Sequence, residues 1–157
     1  MTDEPSNDIA NPLEAIPATG RIMALDLGTK TIGVAISDGM RYSATPLETI
    51  KRTKFTQDAE RILHLVAENR IAAIILGLPL NMDGSEGPRV QSTRAFARNL
   101  AQKTPLPIAF WDERLSTSAV TRMMIEADLR RDRRAEVVDK LAASYILQGA
   151  LERLRRS

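Results

Sequence analysis

Two apolar runs separated by a short turn, within residues 21 to 38, constrain the fold of this chain most strongly. The runs at residues 22 to 27 and 31 to 37 are rich in Ile, Val, Ala and Leu, and a Gly-Thr-Lys turn lies between them. This pattern predicts a tight antiparallel hairpin. Asp26 lies near the end of the first run, so we expect its carboxylate on a core strand. Such a group is usually paired, hydrogen-bonded or bound to a cation, because an unpaired buried charge is costly.

The rest of the chain alternates between strand and helix patterns. The further predicted elements are a strand at 42 to 50 that Pro46 interrupts or delays, a helix at 56 to 70 with Thr56 as its N-cap, a buried strand at 71 to 77, a helix at 88 to 103, a strand at 108 to 111, and helices at 116 to 128 and 137 to 154. This order predicts an α/β fold with a five-stranded mixed sheet and helices on both faces. Three strands form an antiparallel meander and two parallel strands follow. In such sheets the functional site usually lies beyond the carboxyl ends of the parallel strands.

Length and composition predict a single folded domain that follows an N-terminal tail. The 157 residues suffice for one compact core, and the absence of cysteine excludes disulfides and thiolate metal sites. Residues 1 to 20 hold four acidic residues, three prolines and no Lys or Arg, so we expect a flexible acidic tail there and the domain at 21 to 157. No apolar stretch is long enough to span a membrane. We therefore expect a cytoplasmic protein that does not associate with membranes.

The predicted domain is basic. It contains all 22 basic residues of the chain and 16 of its 20 acidic residues. A basic domain suits a polyanionic partner such as nucleic acid.

Acidic residues recur where the predicted strands end. Asp112 and Glu113 directly follow the last strand, and Asp139 borders the apolar stripe of the last helix. Oxygen ligands without His or Cys suit Mg²⁺ or Mn²⁺, and two such ions promote phosphodiester hydrolysis. Each acid also has a simpler explanation. Asp26 fits a turn hydrogen bond, and Asp139 fits a solvated first turn. Asp112 or Glu113 fits an ion pair with Arg114 or a cap of the following helix.

Polar and basic residues near the same strand ends are candidate substrate contacts. They lie in the hairpin turn, in the loop at 78 to 87, after the last strand and before the last helix. We expect them to contact phosphates, although the loop also fits a plain connector and the arginine run a solvated turn. The candidates are Lys30, Asn81, Arg114, Arg131, Arg133 and Arg134.

Four segments together resemble the YqgF family of RNase H-like proteins, described as Holliday junction resolvases and pre-16S rRNA nucleases. The segments are residues 25 to 35, 77 to 84, 112 to 117 and 139 to 147, and they occur in family order. The resemblance extends from residue 21 to about residue 152. It implies an RNase H-like fold and a Mg²⁺- or Mn²⁺-dependent nuclease acting on structured nucleic acid. By motif match, Asp26, Glu113 and Asp139 become the catalytic and metal-binding acids, with Asp112 as the alternative to Glu113.

Several functions are compatible with these motifs. The first is hydrolysis at the 5′ end of pre-16S rRNA during ribosome biogenesis, with ribosomal precursor particles as partners. The second is resolution of branched DNA, which requires a homodimer, whereas RNA processing also fits a monomer. The third is a non-catalytic RNA-binding or regulatory protein with the same fold. The hairpin also resembles the phosphate-binding hairpin of actin-like ATPases, but 157 residues leave room for one of their two lobes.

Overall fold

A five-stranded mixed sheet forms the centre of the protein. The computed structural model describes residues 16 to 81, 83 to 115 and 131 to 155, except for the side chains of residue 115 and residues 131 to 140. The strands are β1 (Arg21–Leu27), β2 (Thr31–Ser37), β3 (Ala44–Lys51), β4 (Ile71–Leu78) and β5 (Ile108–Asp112). The helices are α1 (Phe55–Glu68), α2 (Pro88–Ala101) and α3 (Arg131–Arg155), and a 3₁₀ turn (Glu113–Leu115) follows β5.

The strand order in the sheet is β3-β2-β1-β4-β5. Antiparallel pairing joins β1 to β2 and β2 to β3, whereas β4 pairs in parallel with both β1 and β5. The predicted meander followed by two parallel strands is therefore confirmed. The parallel strands end together, at Leu27, Leu78 and Asp112. We call this side of the molecule the carboxyl end of the sheet.

Two hydrophobic clusters cover the two faces of the sheet. Met23 and Leu25 of β1 belong to the cluster that contains α1 and α2, whereas Ile22 and Ala24 belong to the cluster that contains α3. Alternate residues of a strand point to opposite faces, so the sheet has an α1/α2 face and an α3 face. Helices on both faces were predicted, and this is confirmed. Ile16 also lies in the α3-face cluster, and the tail boundary at residue 20 stays a prediction.

Local hydrogen bonds explain two predicted boundaries that are wrong. Lys54, and not Thr56, is the N-cap of α1, and it makes no side-chain capping bond. The Asp58 carboxylate accepts the Thr53 N–H at 3.1 Å instead, so the start of the helix is held from within its first turn. Strand β3 begins at Ala44 and not at residue 42, because the N–H groups of residues 42 and 43 donate to the Asp38 side chain.

The last helix is longer than predicted. It begins at Arg131 and not at residue 137, so the alternative of a solvated turn is excluded for residues 131 to 134, and their predicted contact with the nucleic acid backbone stays a prediction. The reason is propensity, because this segment contains Arg, Ala and Glu but neither Gly nor Pro. The helix predicted at 116 to 128 lies outside the described residues. None of the helices in the described ranges combines the length and apolar character needed to cross a bilayer.

Candidate active site at the carboxyl end of the sheet

Asp26 is a buried carboxylate at the carboxyl end of the sheet. It is the second-last residue of β1, is 1% exposed, and stands opposite Gly33 in the antiparallel ladder. It lies on the α3 face, two residues after Ala24. The Gly28 N–H donates to the Thr31 carbonyl at 2.8 Å and closes the three-residue turn that follows. The position predicted for Asp26 on a core strand is thus confirmed, while its role is a separate question.

The Glu113 carboxylate lies over a glycine of the neighbouring strand. A Cβ atom placed on Gly77 would be 2.8 Å from Glu113 Oε2 and 2.5 Å from Ile146 Cδ1. Ile146 belongs to the α3-face cluster, so Glu113 lies on the same face as Asp26. Leu25 pairs with Leu76 across β1 and β4, so the residues that follow them, Asp26 and Gly77, are neighbours about 5 Å apart. The two carboxylates therefore share one face at one end of the sheet.

Asp112 is engaged by the next arginine. Its Oδ2 atom lies 2.7 Å from Arg114 Nη2, and its Oδ1 atom accepts the Arg114 backbone N–H at 2.9 Å. This hydrogen-bonded pair raises the pKa of Arg114 above its usual value. Asp112 follows the α1/α2-face residue Phe110 by two positions, so it belongs to the face away from Asp26. The ion pair that the sequence allowed for either acid is formed by Asp112, and Glu113 is the acid beside Asp26.

Asp139 lies in α3, but its side chain is outside the described part of the structure. The same holds for the side chains of Arg131, Arg133 and Arg134. The direction of the helix is defined at its other end, where Arg155 Nη1 donates to the Arg41 carbonyl at 3.0 Å. Arg41 follows β2, at the end of the sheet where β1 begins. The amino-terminal half of α3, which carries Asp139, therefore runs towards the carboxyl end of the sheet.

The loop between β4 and α2 reaches the same end and is internally bonded. Asn81 Nδ2 donates to Ser85 Oγ at 2.9 Å, and the Ser85 N–H and hydroxyl donate to the Asp83 carboxylate at 2.9 and 2.6 Å. These bonds from Ser85 hold the pKa of Asp83 below its usual value. Gly84 has a φ of +89°, and a Cβ there would lie 3.4 Å from Arg114 Nη1. The loop thus lies against Arg114, and Asn81 is exposed beside it.

The remaining turn residues also lie at this end. Lys30 is exposed in the β1–β2 turn, and its carbonyl accepts the Arg52 N–H at 2.9 Å. Among the described side chains, no set of three His, Cys, Asp or Glu residues is arranged to hold a metal ion. The side chain of Asp139 is not among the described ones. The described acids of the α3 face supply only carboxylate oxygens, which is the donor type that Mg²⁺ and Mn²⁺ prefer.

Three residues of this end do not stand out in the sequence. Gly77 makes room for Glu113, and the signal for it is a glycine inside a continuous apolar strand. Arg52 and Arg89 hold the β1–β2 turn, because Arg52 Nη1 donates to the Gly28 carbonyl at 2.6 Å and Arg89 Nη2 to the Leu27 carbonyl at 3.1 Å. Arg52 follows β3 and Arg89 follows β4, and both strands end at this side of the sheet. The predicted strand order could therefore have indicated that both arginines lie near the site.

Comparison with solved structures identifies the fold class. Thermus thermophilus RuvC in complex with a Holliday junction substrate superposes with a TM-score of 0.55 at 14% identity, covering 88% of this chain and 98% of that chain. A second Thermus thermophilus RuvC structure gives 0.51 at 13% identity, covering 86% and 96%. The fold is therefore of the RuvC type, and the predicted RNase H-like class is confirmed.

Comparison with protein families identifies the family. The model of the RuvX family, described as "Holliday junction resolvase", matches residues 20–153. Proteins of Paracoccus denitrificans (65% identical, covering 90% of each chain) and Rhodobacter capsulatus (66% identical, covering 89% of this chain and 88% of that one) are both named "Putative pre-16S rRNA nuclease". The chain belongs to the RuvX family, also called YqgF. The predicted enzyme class, a nuclease that hydrolyses ester bonds of nucleic acid, is confirmed at this level.

Proposed function

We propose that this chain is a divalent-metal-dependent nuclease that cuts structured RNA and processes the 5′ end of pre-16S rRNA. The observation that carries the proposal is the placement of Asp26 and Glu113 on one face, at the carboxyl end of the sheet. The names of relatives that are 65% and 66% identical support RNA as the substrate. Lys30, Asn81 and the arginines of this end would contact the RNA.

The acids fit Mg²⁺ or Mn²⁺. Asp26, Glu113 and Asp139 would hold the metal, since carboxylates are hard ligands and none of the three is a nitrogen or sulfur donor. When bound, such ions supply an activated water and stabilise the attacking and leaving oxygens of the displacement. The position of Asp139 in α3 supports its assignment as a metal ligand. It precedes Ile146, whose Cδ1 atom lies next to Gly77, by seven residues, which is about 10 Å along the helix axis.

The chain's own contribution is preorganisation. The ladders of β1 hold Asp26, which is 1% exposed, and Gly77 lets Glu113 lie close to the backbone of β4. A carboxylate held as Asp26 is needs little rearrangement when the substrate binds, which is how a site stabilises a transition state. Arg114 lies at the same end of the sheet with its guanidinium paired to Asp112, and a guanidinium can contact a phosphate while keeping such a partner.

The test compares carboxylate-to-amide variants of the two acids on the α3 face with the same change at Asp112, which lies on the other face. Wild type, Asp26→Asn, Glu113→Gln and Asp112→Asn are incubated with a pre-16S 5′-leader RNA or a four-way DNA junction, in Mg²⁺ or Mn²⁺. We expect RNA cleavage to fall at least about 100-fold in Asp26→Asn and Glu113→Gln and only a few fold in the Asp112→Asn control. Thermal unfolding of each variant verifies that it is folded.

The outcomes separate the candidate functions. Equal cleavage by wild type and a folded Asp26→Asn variant would contradict the metal site. Cleavage of the junction but not of the RNA would favour the second candidate, a Holliday junction resolvase, which the description of the family model supports. RNA affinity without cleavage at any metal concentration would favour a non-catalytic RNA-binding or regulatory protein.

The cellular setting follows from the same proposal. We place the protein in the cytoplasm, where ribosomal precursor particles carry pre-16S rRNA, and we expect a monomer or a homodimer. Mapping the 5′ ends of 16S rRNA in cells depleted of the protein tests this assignment. We expect extended 5′ ends to accumulate, and complementation by Asp26→Asn should fail. Normal ends after depletion would contradict the assignment.

A further inference from the structure

A basic cleft opens at the carboxyl end of the sheet, on the face away from Asp26. It has a volume of about 150 Å³, and none of the described residues that line it is acidic. Its polar walls come from the β1–β2 turn, the segment after β3 and the first turns of α2. The lining residues with a charge or a hydroxyl group are Thr29, Arg52, Arg89, Ser92 and Thr93. A pocket with cationic and hydroxyl donors and no carboxylate suits an anion.

Arg52 is held rigidly in this cleft. Its Nη1 atom donates to the Gly28 carbonyl at 2.6 Å, and its guanidinium lies 5.7 Å from the centre of the Phe96 ring. Phe96 in turn packs edge-on against Phe55 at 5.2 Å. A guanidinium has five N–H donors, so one bond to a carbonyl leaves donors for a further acceptor. Because the side chain is already fixed, binding an anion costs it little further entropy.

Arg89 and the start of α2 add positive potential from the other wall. Arg89 Nη2 donates to the Leu27 carbonyl at 3.1 Å. Helix α2 has no acidic residue in its first turn, and its N-cap, Gly87, makes no side-chain capping bond. The partial positive charge of the helix start therefore adds to that of the two guanidinium groups. Ser92, one turn later, is exposed at the mouth of the cleft.

The cleft is adjacent to the candidate active site, because its arginines bind residues that directly follow Asp26 in the sequence. The two carbonyl groups that the arginines hold belong to the first and second residues after Asp26, about 4 to 8 Å from it along the backbone. Leu27 belongs to the α1/α2-face cluster, whereas Asp26 lies on the α3 face. A nucleic acid strand that crosses the carboxyl end of the sheet would therefore meet the acids on one side and the cleft on the other.

We propose that the Arg52–Arg89 cleft binds a backbone phosphate of the nucleic acid substrate, close to the phosphodiester that is cleaved. This inference rests on the proposed function for the identity of the ligand. It assigns Arg52 and Arg89 as phosphate-binding residues, and Thr29 and Ser92 as hydroxyl donors at the rim. The cleft sets where the strand crosses the end of the sheet, and so which bond lies over Asp26.

A binding experiment tests the cleft without depending on cleavage. The affinity of the full chain for a labelled stem-loop RNA with single-stranded ends is measured in EDTA over a series of salt concentrations. Ser92→Asp places a negative charge at the cleft and leaves both arginines intact. Asn99→Asp is the matched control, because it adds the same charge to an exposed residue of α2 that does not line the cleft. Arg89→Gln removes one cation directly.

The expected result is a difference between the two Asp variants. Ser92→Asp and Arg89→Gln should weaken binding about 10-fold and reduce the salt slope by about 0.7 to 0.9, the value for one lost phosphate contact. Asn99→Asp should bind within about twofold of wild type. Equal effects of Ser92→Asp and Asn99→Asp, an unchanged salt slope, or no RNA binding by wild type at low salt would overturn the inference.

The result is separable from the proposed function. If wild type binds RNA and Ser92→Asp does not, but no metal supports cleavage, the cleft stands and the nuclease proposal fails. If wild type cleaves and Ser92→Asp matches Asn99→Asp in affinity, cleavage rate and cleavage position, the nuclease proposal stands and the cleft fails. Mapping cleavage positions adds a readout that a merely structural role for these residues would not change.

Discussion

Substitution of Gly77 by alanine is the sharpest test of where Glu113 lies. The added methyl group would be 2.8 Å from Glu113 Oε2 and 2.5 Å from Ile146 Cδ1, whereas ordinary contacts begin at 3.4 Å. Relief requires the carboxylate oxygen to move by about 0.6 Å and the methyl carbon by about 0.9 Å. Both atoms end flexible side chains, so they can move while the backbone stays. The substitution should therefore displace the carboxylate without unfolding the protein.

The expected effect is small on stability and large on activity. Overpacking costs about 1 to 3 kcal/mol, and replacing glycine by alanine regains about 0.4 to 1 kcal/mol through the unfolded state. The melting temperature of a chain of this size should then fall by no more than about 10 °C. A displacement near 1 Å in a catalytic group can reduce turnover 100-fold. We expect cleavage to drop about 10- to 100-fold.

The assay measures metal-dependent cleavage beside the thermal unfolding of each variant. Trp111 is the only tryptophan and pairs with Gly77 across β4 and β5, so its fluorescence reports the local change. Gly39→Ala is the control, since a Cβ there has no heavy atom of the described residues within 4 Å. Ile146→Val removes Cδ1, so adding it to Gly77→Ala should restore stability but not activity, because the contact with Glu113 remains.

A double-mutant comparison decides whether the loss acts through Glu113. If it does, Gly77→Ala should lower activity far less in the Glu113→Gln background than in wild type, because the same interaction is already lost. Cleavage by a folded Gly77→Ala variant within about twofold of wild type would refute the reasoning. A loss of the same factor in both backgrounds would also refute it.

Three further predictions concern stability. Asp58→Ala should lower the free energy of unfolding by about 1 to 2 kcal/mol in denaturant titrations, because the N–H of Thr53 loses its acceptor, whereas Asp58→Asn should cost less. Trp111→Phe should cost less than about 1 kcal/mol in the same measurement, since its buried Nε1 has no hydrogen-bond partner in the described structure and removing it offsets the lost ring area. The hydrogen bond from the Ser43 N–H lowers the pKa of Asp38. The bonds to the Asp38 carboxylate are therefore fully formed at a pH above the usual pKa of Asp, and they are lost as the pH falls through the lowered pKa. The protection of the Ser43 amide against exchange, relative to its intrinsic rate at each pH, should then fall at acid pH in wild type, and Asp38→Asn should remove that change in protection.

The order of strands and helices was predictable because the hydrophobic period changes at each boundary. The Gly-Thr-Lys turn separates two apolar runs, and β2 forms with the predicted limits while β1 begins one residue earlier than predicted, at Arg21. Continuous apolar runs then identified β4 and β5. The errors lie where polar groups determine the ends, as at Asp38 before β3 and Asp58 in α1. A side-chain bond to the backbone several residues away leaves no periodic signal.

The choice between Asp112 and Glu113 could not be made from the sequence. To assign the two acids to faces of the sheet, one needs an alternation of apolar and polar residues in the preceding strand. Strand β5 is apolar on both faces, so its sequence shows no such alternation. The structure places the two acids on different faces through Gly77 and Arg114, which lie 36 and one residues away from Glu113, and the choice of the metal ligand stays a prediction. Similarly, α3 begins in a polar segment, where helix propensity, and not apolar periodicity, sets the start.

Arg52 and Arg89 lie on a different face of the carboxyl end of the sheet from Asp26 and Glu113. Arginine next to a carboxylate forms an ion pair, as Arg114 does with Asp112, and an acid so paired is a weaker metal ligand. Arg52 and Arg89 are instead tied to carbonyl groups at the other face, by bonds of 2.6 and 3.1 Å. The sheet thus keeps these two phosphate-attracting cations apart from the acid face. A substitution that moved a guanidinium to the α3 face would be expected to raise nucleic acid affinity and to lower the apparent affinity for Mg²⁺.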